Sequence, residues 1–389
     1  MRYGITVEER RARLGVRHLL APPSRKTTPL DVARSVVALH STDPASVFLS
    51  IHARAPAAGA DAIERALYED RSLIRMLGMR RTVFVVPVEL APVVHASSTK
   101  AIAQQQRGLY RKFLAEAGVG DGPWLDKVED ATAAAPTERG EAVGADLARD
   151  VPELRSRIRL NRGKAYEGEQ NITTWVLALL AADGRIVRGR PRGTWTSSQY
   201  RWSPVEAWLP HGVEEWPVER ARVELVRRWL ARYGPGTVAD LRWWTGWTAA
   251  QVKQALAVIE PVEVDLDGAT GLVLADDLKP VRAKPWVALL PALDPTPMGW
   301  AGRDWYLGPH AASLFDRSGN VGPTIWSDGR IVGGWTQRPD GEIVHRLLED
   351  VGSDKVGQIE AAAARLAAWV GPVRVRPRFR TPLERELSA

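Results

Sequence analysis

The sequence predicts an α+β protein: three tandem winged helix-turn-helix units followed by a β-rich, barrel-like C-terminal domain. Three observations carry this. Residues 216–274 hold one complete unit, the same order of elements recurs twice before it, and from about Trp286 short apolar runs stand among dense Gly, Pro and Trp. The expected boundaries are 1–87 (a leading helix and the first unit), 88–215, 216–280 and 281–389.

Between Trp216 and Arg232 apolar residues fall at Val218, Ala221, Leu225, Val226, Trp229 and Leu230, the stripe of a 3.6-residue period. YGPG (233–236) ends that helix. Thr237 to Asp240 and Thr248 to Gln251 each have the spacing of a capping box and open two more helices. Alternation at Val262, Val264 and Leu266, an Asp267-Gly268 turn and Leu272-Val273-Leu274 then read as a hairpin. In the first unit Thr28-Pro29 opens a helix expected to run through Leu39, Asp43-Pro44 opens a second, and a third covers Ala62 to Glu69. Strands follow at Leu73–Leu77 and Thr82–Val86, and Thr6 and Glu9 begin the leading helix. The second unit is looser: a long helix about 87–117, helical 138–149, a helix about 171–182, and a hairpin from Arg185 to Trp202. After Trp286, Asp328-Gly329 between Ile325-Trp326 and Ile331-Val332 signals another hairpin. One helix at about 354–370 precedes a final extended segment.

Composition removes several classes of function. The 389 residues contain no cysteine, which excludes disulfides, thiolate metal sites and thiol nucleophiles. Seven scattered histidines without a His-x-x-x-His pair argue against zinc, so neither a metal nor another cofactor is expected. The N-terminus lacks an apolar signal segment and no run approaches a membrane span, so a cytoplasmic protein without membrane contact is expected. No Gly-x-Ser-x-Gly elbow or phosphate loop is present. Of 53 basic residues, 44 are arginine, and the net charge is +7. Their placement matters more than their number. Arg80 and Arg81 sit on the first wing; Arg188, Arg190 and Arg192 sit on the second. Arg374, Arg376, Arg378 and Arg380 occupy alternate positions and would face one side of a strand. These nine are the candidate DNA contacts, arginine's planar fork being suited to phosphate. The third unit carries Glu263, Asp265 and Asp267 on its wing, the wrong sign for phosphate, and reads as scaffold.

Four runs in order, LIRMLGMRRTVFVVP (73–87), YGPGTVADLRWWTG (233–246), LLPALDP (289–295) and SDGRIVGGW (327–335), resemble the bacterial AlkZ/YcaQ family of winged-helix DNA glycosylases. The resemblance spans nearly the whole chain. It implies tandem winged helices and a barrel-like domain around double-stranded DNA, and excision of alkylated or bulky-adduct bases, some in interstrand crosslinks. The family's catalytic Gln-x-Gln or Gln-x-Asp falls where this chain has Leu39-His40-Ser41-Thr42-Asp43-Pro44. His40 and Thr42 thus replace the two polar residues, and a histidine common in the following strand is Phe84 here.

An alkylated purine is already a good leaving group, so the enzyme must position water and stabilise a cationic sugar. A neutral His40 and the Thr42 hydroxyl suit the first task, with His40 also able to take the proton. Asp43 suits the second. Each has a structural alternative: Asp43 as N-cap of the next helix, His40 as a helix end, and Ser41-Thr42 as a polar turn. His52 is a further candidate to approach the same pocket, and Asp294 a further candidate to lie near the DNA. The expected function is excision from damaged duplex DNA. The alternatives are a non-catalytic DNA-binding or regulatory protein on the same fold, or a different base or sugar substrate.

Overall fold

The computed structural model describes residues 3–22, 27–160, 163 and 167–389. Strand β1 (Tyr3–Gly4) leads into α1 (Val7–Arg17), capped by Thr6, whose hydroxyl accepts the Glu9 N–H. A capping box of Thr28 and Asp31 starts α2 (Pro29–Ser35). This helix stops short of the expected Leu39. Val37 takes φ +63°, and Leu39–His40 form β2, paired antiparallel with Val85 and Phe84. Two residues leave no alternation to read, so only the partner strand defines β2. Helices α3 (Pro44–His52) and α4 (Ala60–Tyr68) follow, then the hairpin β3 (Leu73–Gly78) and β4 (Thr82–Pro87). The sheet order is β2-β4-β3.

Next come α5 (Ala91–Val94), a π-helical turn at His95–Thr99 and α6 (Lys100–Glu116), together the expected long helix. The helix expected over 138–149 is instead broken in two. Gly140 at φ +80° ends α7 (Gly122–Arg139), β5 (Ala142–Val143) intervenes, and α8 spans Gly144–Asp150. The hairpin of β6 (Arg157–Leu160) and β7 (Gly168–Asn171) is mostly exposed and charged, so it left no apolar signature. Helix α9 (Thr173–Ala182) then leads to β8 (Ile186–Pro191) and β9 (Tyr200–Pro204), in a sheet ordered β5-β9-β8. A short strand between the first two helices thus pairs with the last strand here as in the first set.

Helices α10 (Val218–Tyr233), α11 (Val238–Thr245) and α12 (Ala249–Ile259) precede β10 (Val262–Leu266) and β11 (Ala269–Val273), close to expectation. Both predicted capping boxes form. Gly236 bridges to Leu272 where the other two sets have a strand, and β1 adds in parallel to β10. The leading segment therefore joins this third set, with α1 packed on α10.

Strand β12 (Val287–Leu290), short helices α13 (Asp304–Leu307) and α14 (Ala311–Leu314), and strands β13 (Thr324–Ser327), β14 (Arg330–Gln337) and β15 (Ile343–Leu347) come next. The Asp328-Gly329 turn has φ +48° and +84°, matching the two-residue hairpin signal. The sheet runs β12-β13-β14-β15 and its outer strands do not pair, so it is open and does not close into a barrel. Helix α15 (Ser353–Val370) packs across β12 and β15, and α16 (Pro382–Leu387) ends the chain. Between them, residues 371–380 pair with no strand, correcting the expected arginine strand.

Buried Trp229, Tyr233, Trp244, Trp300 and Trp326 make one core between the third set and the C-terminal sheet. Arg54 of α3 and Asp294 after β12 form a bidentate pair at 2.7 and 2.8 Å, both side chains fully buried, with Thr296 on the same guanidinium. Asp294 is therefore an internal tie and does not face DNA. Removing one partner would strand a buried charge, at a cost of about 3–5 kcal/mol. No helix among the described residues is long and apolar enough to cross a membrane.

Candidate active site and nucleic-acid interface

Because strand side chains alternate, Leu39 enters the core and His40 turns the other way, its ring edge-on to Phe84 at 5.3 Å. Phe84 is also its cross-strand partner, so the position where the resemblance anticipates a histidine lies directly against His40. His40 ends no helix, and no helix dipole favours its imidazolium. Burial, reinforced by Arg80, pushes its pKa down to about 3. The imidazole is neutral, and its Nδ1 is buried without a hydrogen-bond partner. So low a value makes the ring a weak base, while its neutral form can accept a hydrogen bond.

Thr42, half-buried, stands on a ridge between two cavities of about 370 and 530 Å³. His40 opens onto the smaller one. Asp43 is the N-cap of α3: one oxygen accepts the Ala45 N–H at 3.1 Å and the other the Arg378 N–H at 2.9 Å. Burial raises its carboxyl above the ordinary value, against these bonds. Its lone pairs thus hold backbone, and it reaches the site through its charge alone. His52 stacks on Trp369 at 4.4 Å and lines neither cavity, so it does not join His40.

The His40 cavity is walled by cations and contains no carboxylate. Arg80 and Arg81 form the β3–β4 turn with φ +53° and +56°, a left-handed geometry that side chains resist. Arg80 lies 4.0 Å over the Trp243 ring, and Arg303 lies 4.8 Å from the same ring. Burial, with Arg303 nearby, lowers Arg80 to about 10. No acid pairs with Arg80, Arg81 or Arg303 among the described residues. Trp243 belongs to α11, in the set expected to be scaffold alone. Gly246 at φ +74° allows this approach, since a β-carbon there would come within 3.0 Å of Arg80. Asn320 and Gly319 complete the wall from a loop that reads as a plain turn in sequence. Arg303 carried no sequence signal; it is a lone arginine in a tryptophan-rich loop.

The other expected contacts divide. Arg188, Arg192 and Arg378 line the larger cavity, and Arg376 is exposed. Arg190 instead turns back to Glu64 at 2.7 Å and Glu69 at 2.9 Å. Arg374 donates to the Pro339 and Asp340 carbonyls, and Arg380 pairs with Glu384 at 2.6 Å. These last three are engaged by internal partners, and no strand aligns the four C-terminal arginines on one face.

Repeated helix-and-hairpin sets around acid-free arginine cavities define a polyanion-binding α+β protein. The fold aligns with Streptomyces sahachiroi DNA glycosylase AlkZ over 96% of this chain and 99% of that one, with TM-score 0.74 and 19% identity. Comparison with curated protein sequences finds no match. The family model "DNA glycosylase AlkZ-like" matches residues 33–369, and the chain belongs to that family. DNA is accordingly its partner, and its function is of the DNA glycosylase kind.

Proposed function

We propose that the protein hydrolyses the N-glycosidic bond of alkylated or bulky-adduct bases in damaged duplex DNA, as a monomer at the nucleoid. The observation carrying this is His40 itself: a neutral imidazole with an orphaned Nδ1, beside Thr42, facing a cavity lined by unpaired arginines. In this reading the neutral His40 ring and the Thr42 hydroxyl hold the attacking water. Asp43 adds negative charge near the sugar cation while capping α3. Arg80, Arg81, Arg192, Arg376 and Arg378 meet backbone phosphates. The three helix–hairpin sets act as winged helix-turn-helix units within 1–87, 88–215 and 216–280, the leading strand and helix serving the third. Residues 281–389 form a C-terminal unit that closes round the duplex.

A cationic base leaves without strong acid–base assistance, so water orientation is the main task left to the protein. Excision of N7- and N3-alkylated purines from duplexes tests this. Wild type is expected to leave abasic sites, with His40→Ala and Thr42→Ala each slower by about 10- to 100-fold. Asp43→Asn can keep the cap on Ala45, but its amide nitrogen cannot accept the Arg378 N–H, so a loss there reports charge together with that one bond. The absence of carboxylates around His40 favours a second reading, a DNA-binding protein that does not cut. No abasic product from any lesion would establish it.

A further inference from the structure

We propose that the larger cavity, beyond Thr42 from His40, is a phosphate-ester site in which Arg188 and the Tyr200 hydroxyl are the principal ligands. It stands whether or not His40 and Thr42 perform hydrolysis.

The first argument is uncompensated charge. Arg188, Arg192 and Arg378 line the cavity, and no lining residue is acidic. Arg75, 3% exposed, lies behind the wall with its Nε on the Ser41 hydroxyl at 2.7 Å. Neither Arg75 nor Arg188 pairs with a carboxylate among the described residues, whereas Arg190, two residues along the same strand, has two. The nearby Asp43 already holds the backbone N–H groups of Ala45 and Arg378. A guanidinium removed from water without a counter-ion is costly, and a protein retains one where an anion arrives. Burial, with Arg75 adding, lowers Arg188 to about 10 even so.

The second argument is preorganisation. Arg188 lies 4.7 Å over the Trp202 ring, and Arg75 lies 4.5 Å over Tyr200. Stacking fixes each guanidinium plane; Arg75 spends N–H groups on the Ser41 and Tyr68 hydroxyls, whereas those of Arg188 carry no carboxylate. Tyr200 brings an independent observation. Its hydroxyl is buried with no hydrogen-bond partner, and burial raises its pKa, so it is a neutral donor awaiting an acceptor. Thr173 and Thr174, in the first turn of the ten-residue α9, line the same space, and that helix has no side-chain cap. Fork-shaped cations, hydroxyl donors and no acid match the oxygens of a phosphate. A volume of about 530 Å³ also admits the attached nucleoside.

Two sources share this chemistry, a backbone diester and a terminal monoester. The test measures binding to the full chain by titration calorimetry and thermal unfolding, with ionic strength held constant by sodium chloride. The probes are inorganic phosphate, a 5′-phosphorylated dinucleotide and the same dinucleotide with hydroxyl ends. Wild type is expected to bind phosphate saturably and to unfold at higher temperature with it. Arg188→Gln is expected to bind at least tenfold more weakly, and Tyr200→Phe about threefold. Arg188→Gln without phosphate should also melt at or above wild type, since it removes a half-buried charge that no carboxylate pairs. Arg201→Gln, on the neighbouring strand and paired with Glu141, is the folding-matched control. Preference for the phosphorylated dinucleotide assigns the site to a strand end; equal affinity for both assigns it to continuous backbone. Absence of saturable phosphate binding in wild type, or binding unchanged in both Arg188→Gln and Tyr200→Phe, overturns the proposal. Because no cleavage is read, failure here is distinct from failure of the excision assay.

Discussion

Burial keeps four histidines neutral: His18, His40, His52 and His95 all have lowered pKa values, about 3 for His40 and about 4 for His52. In the unfolded chain each would protonate near its ordinary value of about 6.5. Between that value and the folded ones the unfolded state binds more protons, so stability rises with pH and falls on acidification. The urea midpoint is therefore expected to drop steadily from pH 7 to pH 4. His52→Phe, which can keep the stacking on Trp369, should flatten that drop by on the order of 1 kcal/mol per pH unit. A wild-type midpoint independent of pH would contradict the neutral, buried imidazoles. At this scale the sequence named His40, Thr42 and Asp43 by position. It could not say how far the His40 pKa is lowered, because that depends on the desolvation its neighbours impose.

Elements were legible where their signals are local. The N-cap at Thr28, the capping boxes at Thr237 and Thr248 and the Asp-Gly turns at 267 and 328 formed as read, because each involves residues three or fewer apart. Strands β2 and β5, two residues each, were invisible because pairing with β4 and β9 creates them. The C-terminal arginines alternate as a strand would, yet no strand stands beside them. Gly246 joins both kinds of information: a left-handed C-cap of α11, and the clearance that lets Arg80 reach Trp243. Gly246→Ala is expected to cost about 1–2 kcal/mol from the backbone alone. Calorimetry would register this as a lowered Tm, and displacement of Arg80 should weaken DNA binding in parallel. An alanine variant with unchanged Tm and affinity would refute that coupling.

For the whole molecule, net charge says less than which arginines lack internal partners. Arg80, Arg81, Arg188, Arg192, Arg376 and Arg378 face cavities or solvent without an acid, Arg378 with one N–H on the Thr42 carbonyl, whereas Arg190, Arg374 and Arg380 are held by the protein itself. Each phosphate neutralised should contribute about −0.9 to the slope of log affinity against log salt. A slope near −4 to −5 is expected if most of the six engage duplex DNA. Arg81→Ala should flatten it by about 0.9, and Arg374→Ala should leave it alone. A flat salt response in wild type would remove the proposed interface.

The sequence by itself determined the α+β class, most helices, the turns and the family, because caps, periodicity and motif order are local or linear properties. Tertiary structure alone decided that the C-terminal sheet stays open, that Asp294 lies buried against Arg54, and that Trp243 and Arg303 enter the site. It also decided which arginines remain free. A guanidinium's availability depends on whether folding brings a carboxylate within reach, and such partners are far away in the chain: Glu64 lies 126 residues from Arg190 and Asp294 lies 240 from Arg54.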